Sequence, residues 1–261
     1  RFLVVVDDNF YGVGPTHAEQ AKEILRGLIR HGKTRRWFGQ TSINMGADPE
    51  ALKLAYKAGC RGMLVGFESL NPASIEGYHK GLNSGLIGRY KELIGGFHRA
   101  GLSVFGCFIV GADEDSPETV SQTALDAVRL GVDIVQVTHL TPLPGTGLYR
   151  KMLSEGRITA TDYPKDWERY TFVDTVFTPR GMSAQSLDEA SFDLRCGAAF
   201  EPWVYKRALK TLWMTRSLST AAFVYGVNRG FKRVSQALVA RDRHRFEGLE
   251  RNEDRLATIR Q

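Results

Sequence analysis

An α/β fold is predicted, a partial (β/α) barrel of parallel strands followed by a mostly helical C-terminal extension, and three features of the 261-residue chain predict it. A unit of helix, single glycine, apolar strand and polar strand end recurs three times. It runs from Lys57-Ala58-Gly59 into 62–68, from Arg99-Ala100-Gly101 into 103–110, and from Arg129-Leu130-Gly131 into 133–139. Each glycine stands where a helix must stop, because only glycine takes the left-handed C-terminal conformation without a Cβ clash. Each strand is apolar on both faces, as a parallel strand covered by helices has to be. Each ends in groups that can do chemistry: Glu68-Ser69, Glu114 just past Val110, and the stretch from His139 to Thr141. Ligands of parallel α/β folds bind at the carboxyl ends of the strands, so the site belongs there.

The elements follow in order. A first strand over residues 2–6 ends in Asp7-Asp8-Asn9. A helix over 17–31 starts with Thr16 and Glu19 in capping-box spacing. Residues 37–44 read as the second strand. Asp48-Pro49-Glu50 opens a helix with aspartate as N-cap and proline at the first helical position. The third strand covers 62–67, a helix 86–100, and the fourth strand 103–110. Ser116-Pro117-Glu118 starts the next helix, and the fifth strand, 133–139, runs into Leu140-Thr141-Pro142-Leu143-Pro144-Gly145-Thr146. Strict alternation implies right-handed crossovers and a parallel sheet. Five strands are too few to close an eight-fold barrel. The expected division is a partial barrel over 1–157, an irregular connection over 158–185, and a basic helical region over 186–261.

Composition narrows the function classes. Hydrophobic residues make up 43% of the chain, enough for a core. No stretch of about 18 uncharged apolar residues is present to span a bilayer. Cys60, Cys107 and Cys196 lie far apart and have no metal-binding or redox spacing; their scarcity suits a reducing cytosol. The net charge of +6 is uneven, because residues 205–261 hold 13 Lys/Arg against 5 Asp/Glu. No motif for nucleic acid accompanies that charge. Residues 208–227 mix Leu, Trp, Met, Phe and Val with Lys210 and Arg216, which reads as a helix packed on the barrel or as a basic amphipathic helix at a membrane surface. The last twenty or so residues are expected to be solvated. Arg1 leads straight into a strand with no initiator methionine, so the chain is expected to be the later part of a longer protein.

The polar strand ends form a set: Asp7, Asp8, Asn9, Gln40, Ser42, Asn44, Glu68, Ser69, Glu114, His139 and Thr141. Parallel strands in register would aim all of them into one mouth, where carboxylates and amides can accept hydrogen bonds from ribose hydroxyls or an ammonium group.

These residues carry a resemblance. Asp7-Asp8-Asn9-Phe10, Gly39-Gln40-Thr41-Ser42, the block from Gly59 to Pro72 with Gly66-Phe67-Glu68-Ser69 at its centre, and Phe108-Ile109-Val110-Gly111-Ala112-Asp113-Glu114 resemble successive strands of a radical SAM domain. Residues 138–146 are similar to that family's sixth strand and exit loop. The resemblance covers about residues 1–155, about five of the six strands, and is nearest to the class carrying an N-terminal cobalamin-binding domain. It implies S-adenosylmethionine (SAM) as ligand. Asp8 and its neighbours, Asn9 among them, would lie near its amino group, and Gln40 and Asn44 would belong to the same cofactor site; Glu68 and Ser69 would hold the ribose and methionine moiety. Ile109 would pack on adenine, Glu114 would support that loop, and Leu140 and Thr141 would offer main-chain contacts to the adenine edge.

The family's Cys-x3-Cys-x2-Cys loop, whose thiolates bind a [4Fe–4S] cluster, is absent from this sequence. The resemblance therefore places the cluster ligands, and any cobalamin domain, upstream of Arg1, and leaves this chain alone inactive. It further implies an electron donor such as flavodoxin or ferredoxin, a small-molecule or lipid-like substrate, and a cytoplasmic protein with peripheral membrane contact through the basic helices. No catalytic residue and no metal ligand is named. Two other readings stay open: a divalent-metal site built from Asp7, Asp8, Glu68 and His139, and a non-catalytic nucleotide-binding or docking domain. The first strand's open edge is expected to make the isolated chain poorly soluble or associated.

Overall fold

A computed structural model describes residues 2–32, 35–77, 81–198 and 201–242, with side chains left out for 195–198, 201 and 202. The expected solvated C-terminal tail thus lies mostly outside the described residues. Five strands, β1 (Leu3–Val4), β2 (Trp37–Thr41), β3 (Cys60–Glu68), β4 (Ser103–Val110) and β5 (Ile134–His139), form one sheet in sequential order, and every neighbouring pair is parallel. The sheet curls into a half-barrel with helices around it.

The crossovers are α1 (Pro15–His31), α2 (Pro49–Lys57), the short α3 (Pro72–Gly77) and α4 (Gly81–Leu86), α5 (Tyr90–Arg99) and α6 (Pro117–Leu130). Gly59, Gly101 and Gly131 all take positive φ, from 88° to 108°, as the repeated unit requires. Asp48 accepts from the Ala51 amide at 3.0 Å ahead of Pro49, and Ser116 forms a capping box with Thr119.

Three local expectations are corrected. The first helix starts at Pro15 with Gly14 (φ 92°) before it and no side-chain cap. Proline fixes the first turn there, and Glu19 pairs instead with Lys22 and Arg26. β1 shrinks to two paired residues because it has a neighbour on one side alone, and Leu3 and Val4 are exposed. β2 stops at Thr41, and residues Ile43–Ala47 wind into a 3-10 turn. Gly46 in that turn abuts α5 so closely that a Cβ would sit 2.5 Å from the Leu93 carbonyl oxygen.

The convex face of the sheet carries the main core: Met63, Val65, Phe67, Val104 and Phe108 pack with Leu25, Leu52, Leu93 and Phe97 of the surrounding helices. Burying side chains of this size stabilises by roughly 1.5–3 kcal/mol each before entropy is counted. Beyond β5 come α7 (Gly147–Ser154), an irregular stretch with a 3-10 turn at Lys165–Arg169, then α8 (Ala184–Ala198), α9 (Glu201–Thr215) and α10 (Leu218–Asp242). α10 lies in the concave face. Phe223 stacks near Phe2 and Phe38, with ring centres 5.0 and 5.5 Å apart, and Phe231 meets Phe105 edge-on. A Cβ on Gly62 would strike the Phe223 ring at 2.9 Å, so glycine there admits the helix. The concave face is therefore filled toward the amino ends of the strands. Toward the carboxyl ends Val6 and Gln40 are exposed and Glu68, Cys107 and Ile109 half-buried.

Candidate functional site

Glu68 closes the central strand in a conformation few side chains adopt. Its φ is +64°, in the left-handed region, and it sits at a register break where Gly66 faces Cys107 and Glu68 faces Phe108. Non-glycine residues hold such φ values when their surroundings impose them. Here Asn83 of α4 imposes it: its amide nitrogen donates to the carbonyls of both Gly66 and Phe67, at 3.0 Å each. Gly66 clears space on the concave face, since a Cβ on it would lie 2.7 Å from Glu68 Oε1. The carboxylate also acts on its neighbours. Burial first, and then the Glu68 charge, push the Cys107 thiol up to about 12 and raise the Tyr90 phenol well above its usual value. A carboxylate held by main-chain geometry at the mouth of a half-barrel is a pre-set acceptor for paired hydroxyls.

Ser69 is buried and turns the chain out of β3, its hydroxyl accepting from the Asn71 amide at 3.0 Å. Asn71 in turn donates to the Glu114 carbonyl, tying the β3 and β4 exit loops together. Asp115 completes that tie. One carboxylate oxygen accepts from Ser74 at 2.9 Å and the other from the amides of Gly111 and Ala112. The Glu114 carboxylate lies beside Gly77 of α3, where a Cβ would come within 3.3 Å of it. Ile109 stands on the concave face, paired in register with Thr138. The Leu140 amide is taken by the Val110 carbonyl at 2.8 Å, and the Thr141 hydroxyl donates to the His139 carbonyl.

On the other side of the mouth Asp8 is exposed, while Asn9 is committed to holding two loops. Its carbonyl oxygen accepts from Gly12 and Ser42 amides, and its amide donates to the Ser42 hydroxyl. Asn44 donates to the Gly12 carbonyl at 3.0 Å, and its own Oδ1 is buried with no partner among the described residues. An orphaned buried acceptor of this kind costs roughly 1–3 kcal/mol unless a ligand or water donates to it. Gln40, near the carboxyl end of β2, is exposed.

The expectation that every strand-end group points into one mouth fails at His139. Alternation along β5 puts Ile134 on the concave side and therefore His139 on the convex side. There it is buried, with Nδ1 3.1 Å from the Thr175 hydroxyl and 3.8 Å from Asp188 of α8. Asp7, Asp8, Glu68 and His139 do not converge, and among the described residues no group of three or more His, Cys, Asp or Glu could hold a metal ion. Sequence reasoning missed Asn83 and Asp115. Both sit in short, aperiodic segments, and the local signal for Asp115 was its place in the acidic run after Gly111.

No family model matches the chain. It is 28% identical over 200 residues to the bacteriochlorophyllide d C-12(1)-methyltransferase of Chlorobaculum tepidum, covering 75% of this chain and 42% of that protein. It is 32% identical over 130 residues to the C-8(2)-methyltransferase of the same organism, covering 49% and 28%. The chain thus spans less than half the length of these relatives. Among solved structures, the radical S-adenosylmethionine methyltransferase TsrM of Kitasatospora setae, with cobalamin and a [4Fe–4S] cluster bound, superposes with a TM-score of 0.50 at 19% identity, over 72% of this chain and 36% of that one. The chain resembles radical SAM methyltransferases.

The residues of this chain fit the two groups of radical SAM chemistry, SAM and an iron–sulfur cluster, unequally. A carboxylate, amide acceptors and an apolar strand face suit a zwitterionic, ribose-bearing ligand. The cysteines do not suit a cluster. Cys60 is fully buried at the amino end of β3, where burial pushes its thiol up to about 12, and Cys107 is in mid-strand on β4. The side chain of Cys196 lies outside the described residues.

Proposed function

We propose that this chain forms the SAM-binding half-barrel of a longer, cobalamin-linked radical SAM enzyme that methylates or rearranges its substrate. The observation that carries the reading is Glu68, locked at φ +64° by Asn83 over a glycine-cleared strand face. In the proposed pocket Glu68 accepts from the ribose hydroxyls and Asp8 from the ammonium group. Ser69 holds the turn that aims Glu68, and Ile109 packs on the base with Glu114 backing its loop. Asn44 Oδ1 accepts from a polar donor of the ligand, Gln40 lines the same side, and Leu140 and Thr141 flank the adenine edge. The cluster ligands and the cobalamin domain are proposed to precede residue 1. The missing Cys-x3-Cys-x2-Cys loop and the short span relative to the curated relatives support that placement. When bound, the cluster supplies the electron for reductive cleavage of SAM, drawn from a donor of the flavodoxin or ferredoxin type.

A lipid-like small-molecule substrate and peripheral contact with an anionic membrane belong to the same proposal. Tyr205, Leu209 and Trp213 form an exposed stripe on α9, followed by exposed Leu218 and interleaved with Lys206, Lys210 and Arg216. Stripes of this composition favour the lipid interface. Among the described residues no helix is long and apolar enough to cross a membrane. A cytoplasmic location is proposed on the scarcity of cysteine.

The test is turnover by the full-length protein, purified without oxygen and chemically reduced. Consumption of SAM is expected; a preparation that carries its cluster and leaves SAM intact would refute the reading. In flotation assays the same preparation is expected to rise with anionic vesicles and not with neutral ones, and Trp213→Ala to weaken this. Equal recovery with both vesicle types would refute the membrane contact.

A further inference from the structure

Away from the strand-end mouth, a cavity of about 620 Å³ opens along the free edge of β5, between α6, α8, α9, α10 and residues 171–173. That volume lies within the roughly 300–1,000 Å³ range of small-molecule sites. Its wall is mostly apolar, with Leu125, Val137, Phe172, Leu194, Phe231 and Leu238 among the lining residues. The lining also includes Gln136, Thr138, His139, Thr171, Asn228 and Ser235, and two further polar groups there, Ser191 and Arg207, have unused hydrogen-bonding capacity. Ser191 is 4% exposed, and its hydroxyl is buried with no partner among the described residues. Arg207 is 6% exposed and is pinned by Nε to the Asp133 carbonyl and by Nη2 to the Val132 carbonyl, which leaves Nη1 without a partner among the described residues. The described residues that line the cavity include no Asp or Glu. A buried cation, an unused hydroxyl and an apolar wall form one chemical pattern: an apolar body with a single anionic end. Guanidinium groups are the side chains best matched to carboxylates.

We propose that this cavity binds an anionic amphiphile, its apolar body lying along α6, α8 and α10 and its carboxylate-like end at Arg207 and Ser191. Binding needs neither SAM nor a cluster, so the site stands apart from the proposed reaction. Burial alone does not account for Ser191: an unmade hydrogen bond there is costly, and a ligand oxygen would satisfy it. Arg207 also carries structural bonds, so it is not the residue to remove.

The probe is cis-parinaric acid, a fluorescent fatty acid, titrated into the protein and displaced by palmitate or by the neutral palmityl alcohol. Saturable fluorescence is expected, with palmitate displacing it at a concentration about 10-fold or more below that needed for the alcohol, the margin of a charge-assisted contact. Ala124→Trp and Leu194→Trp, which fill the cavity from different helices, are expected to abolish the signal. No saturable binding would overturn the proposal. So would equal displacement by acid and alcohol, measured on the unmodified protein, or full binding by both filled variants.

Discussion

Asp133→Ala is expected to cost the protein about 3–5 kcal/mol of stability, the loss seen when one partner of a buried charged network is removed. Asp133 is 3% exposed at the amino end of β5 and gathers four elements. Its Oδ2 lies 2.9 Å from His98 Nε2 of α5 and accepts the Val104 amide of β4 at 2.8 Å. Its Oδ1 accepts from Thr211 of α9, and its carbonyl accepts from Arg207 and from Asn228 of α10. Alanine keeps the carbonyl and leaves a buried amide, hydroxyl and imidazole without their acceptor. The Arg207 guanidinium, already pulled down to about 10 by burial, also loses the nearby negative charge that supports it. A fall of about 10 °C in Tm follows at the usual conversion for a domain of this size. Thermal unfolding of the two proteins side by side is the check; unchanged Tm would show that the C-terminal helices do not depend on this junction.

Glu68→Ala is expected to weaken SAM binding by about 1–3 kcal/mol while the fold survives, because a charged acceptor is lost from the pocket and not from the core. A second readout separates a misplaced site from a misfolded one. The Glu68 charge helps hold the Cys107 thiol up, so its removal is expected to lower that thiol's pKa, measured as faster alkylation at a fixed pH. Burial, the larger cause, is untouched. Lowered thiol pKa with unchanged SAM affinity would mean that Glu68 sits where described but does not hold the ligand.

The sheet was legible because its rules are local. Apolar runs on both faces, the three glycines at helix ends and the Asp48-Pro49 and Ser116-Pro117 starts each follow from backbone sterics, and β4 appears with the bounds expected. The ends of β1 and β2 were less legible, because pairing on one side and the close approach of α5 at Gly46 are tertiary facts. Glu68 is singled out by its place at a strand end. What fixes its backbone is not, since Asn83 lies 15 residues on in a short helix without periodicity. His139 was misplaced for want of parity: whether a strand's last residue faces in or out depends on which earlier residue meets the core, and Ile134 settled that against Phe223 and Val224. The cavity at β5 left no trace in the sequence, as four helices from distant segments build it.

The proposed function requires SAM to occupy the carboxyl ends of the strands. A crystal structure of the protein with SAM tests this most directly. The expected result is ligand density over β3 and β4, with the ribose against Glu68 and the base against Ile109. Density confined to the β5 cavity, or a ligand that leaves Glu68 untouched, would contradict it.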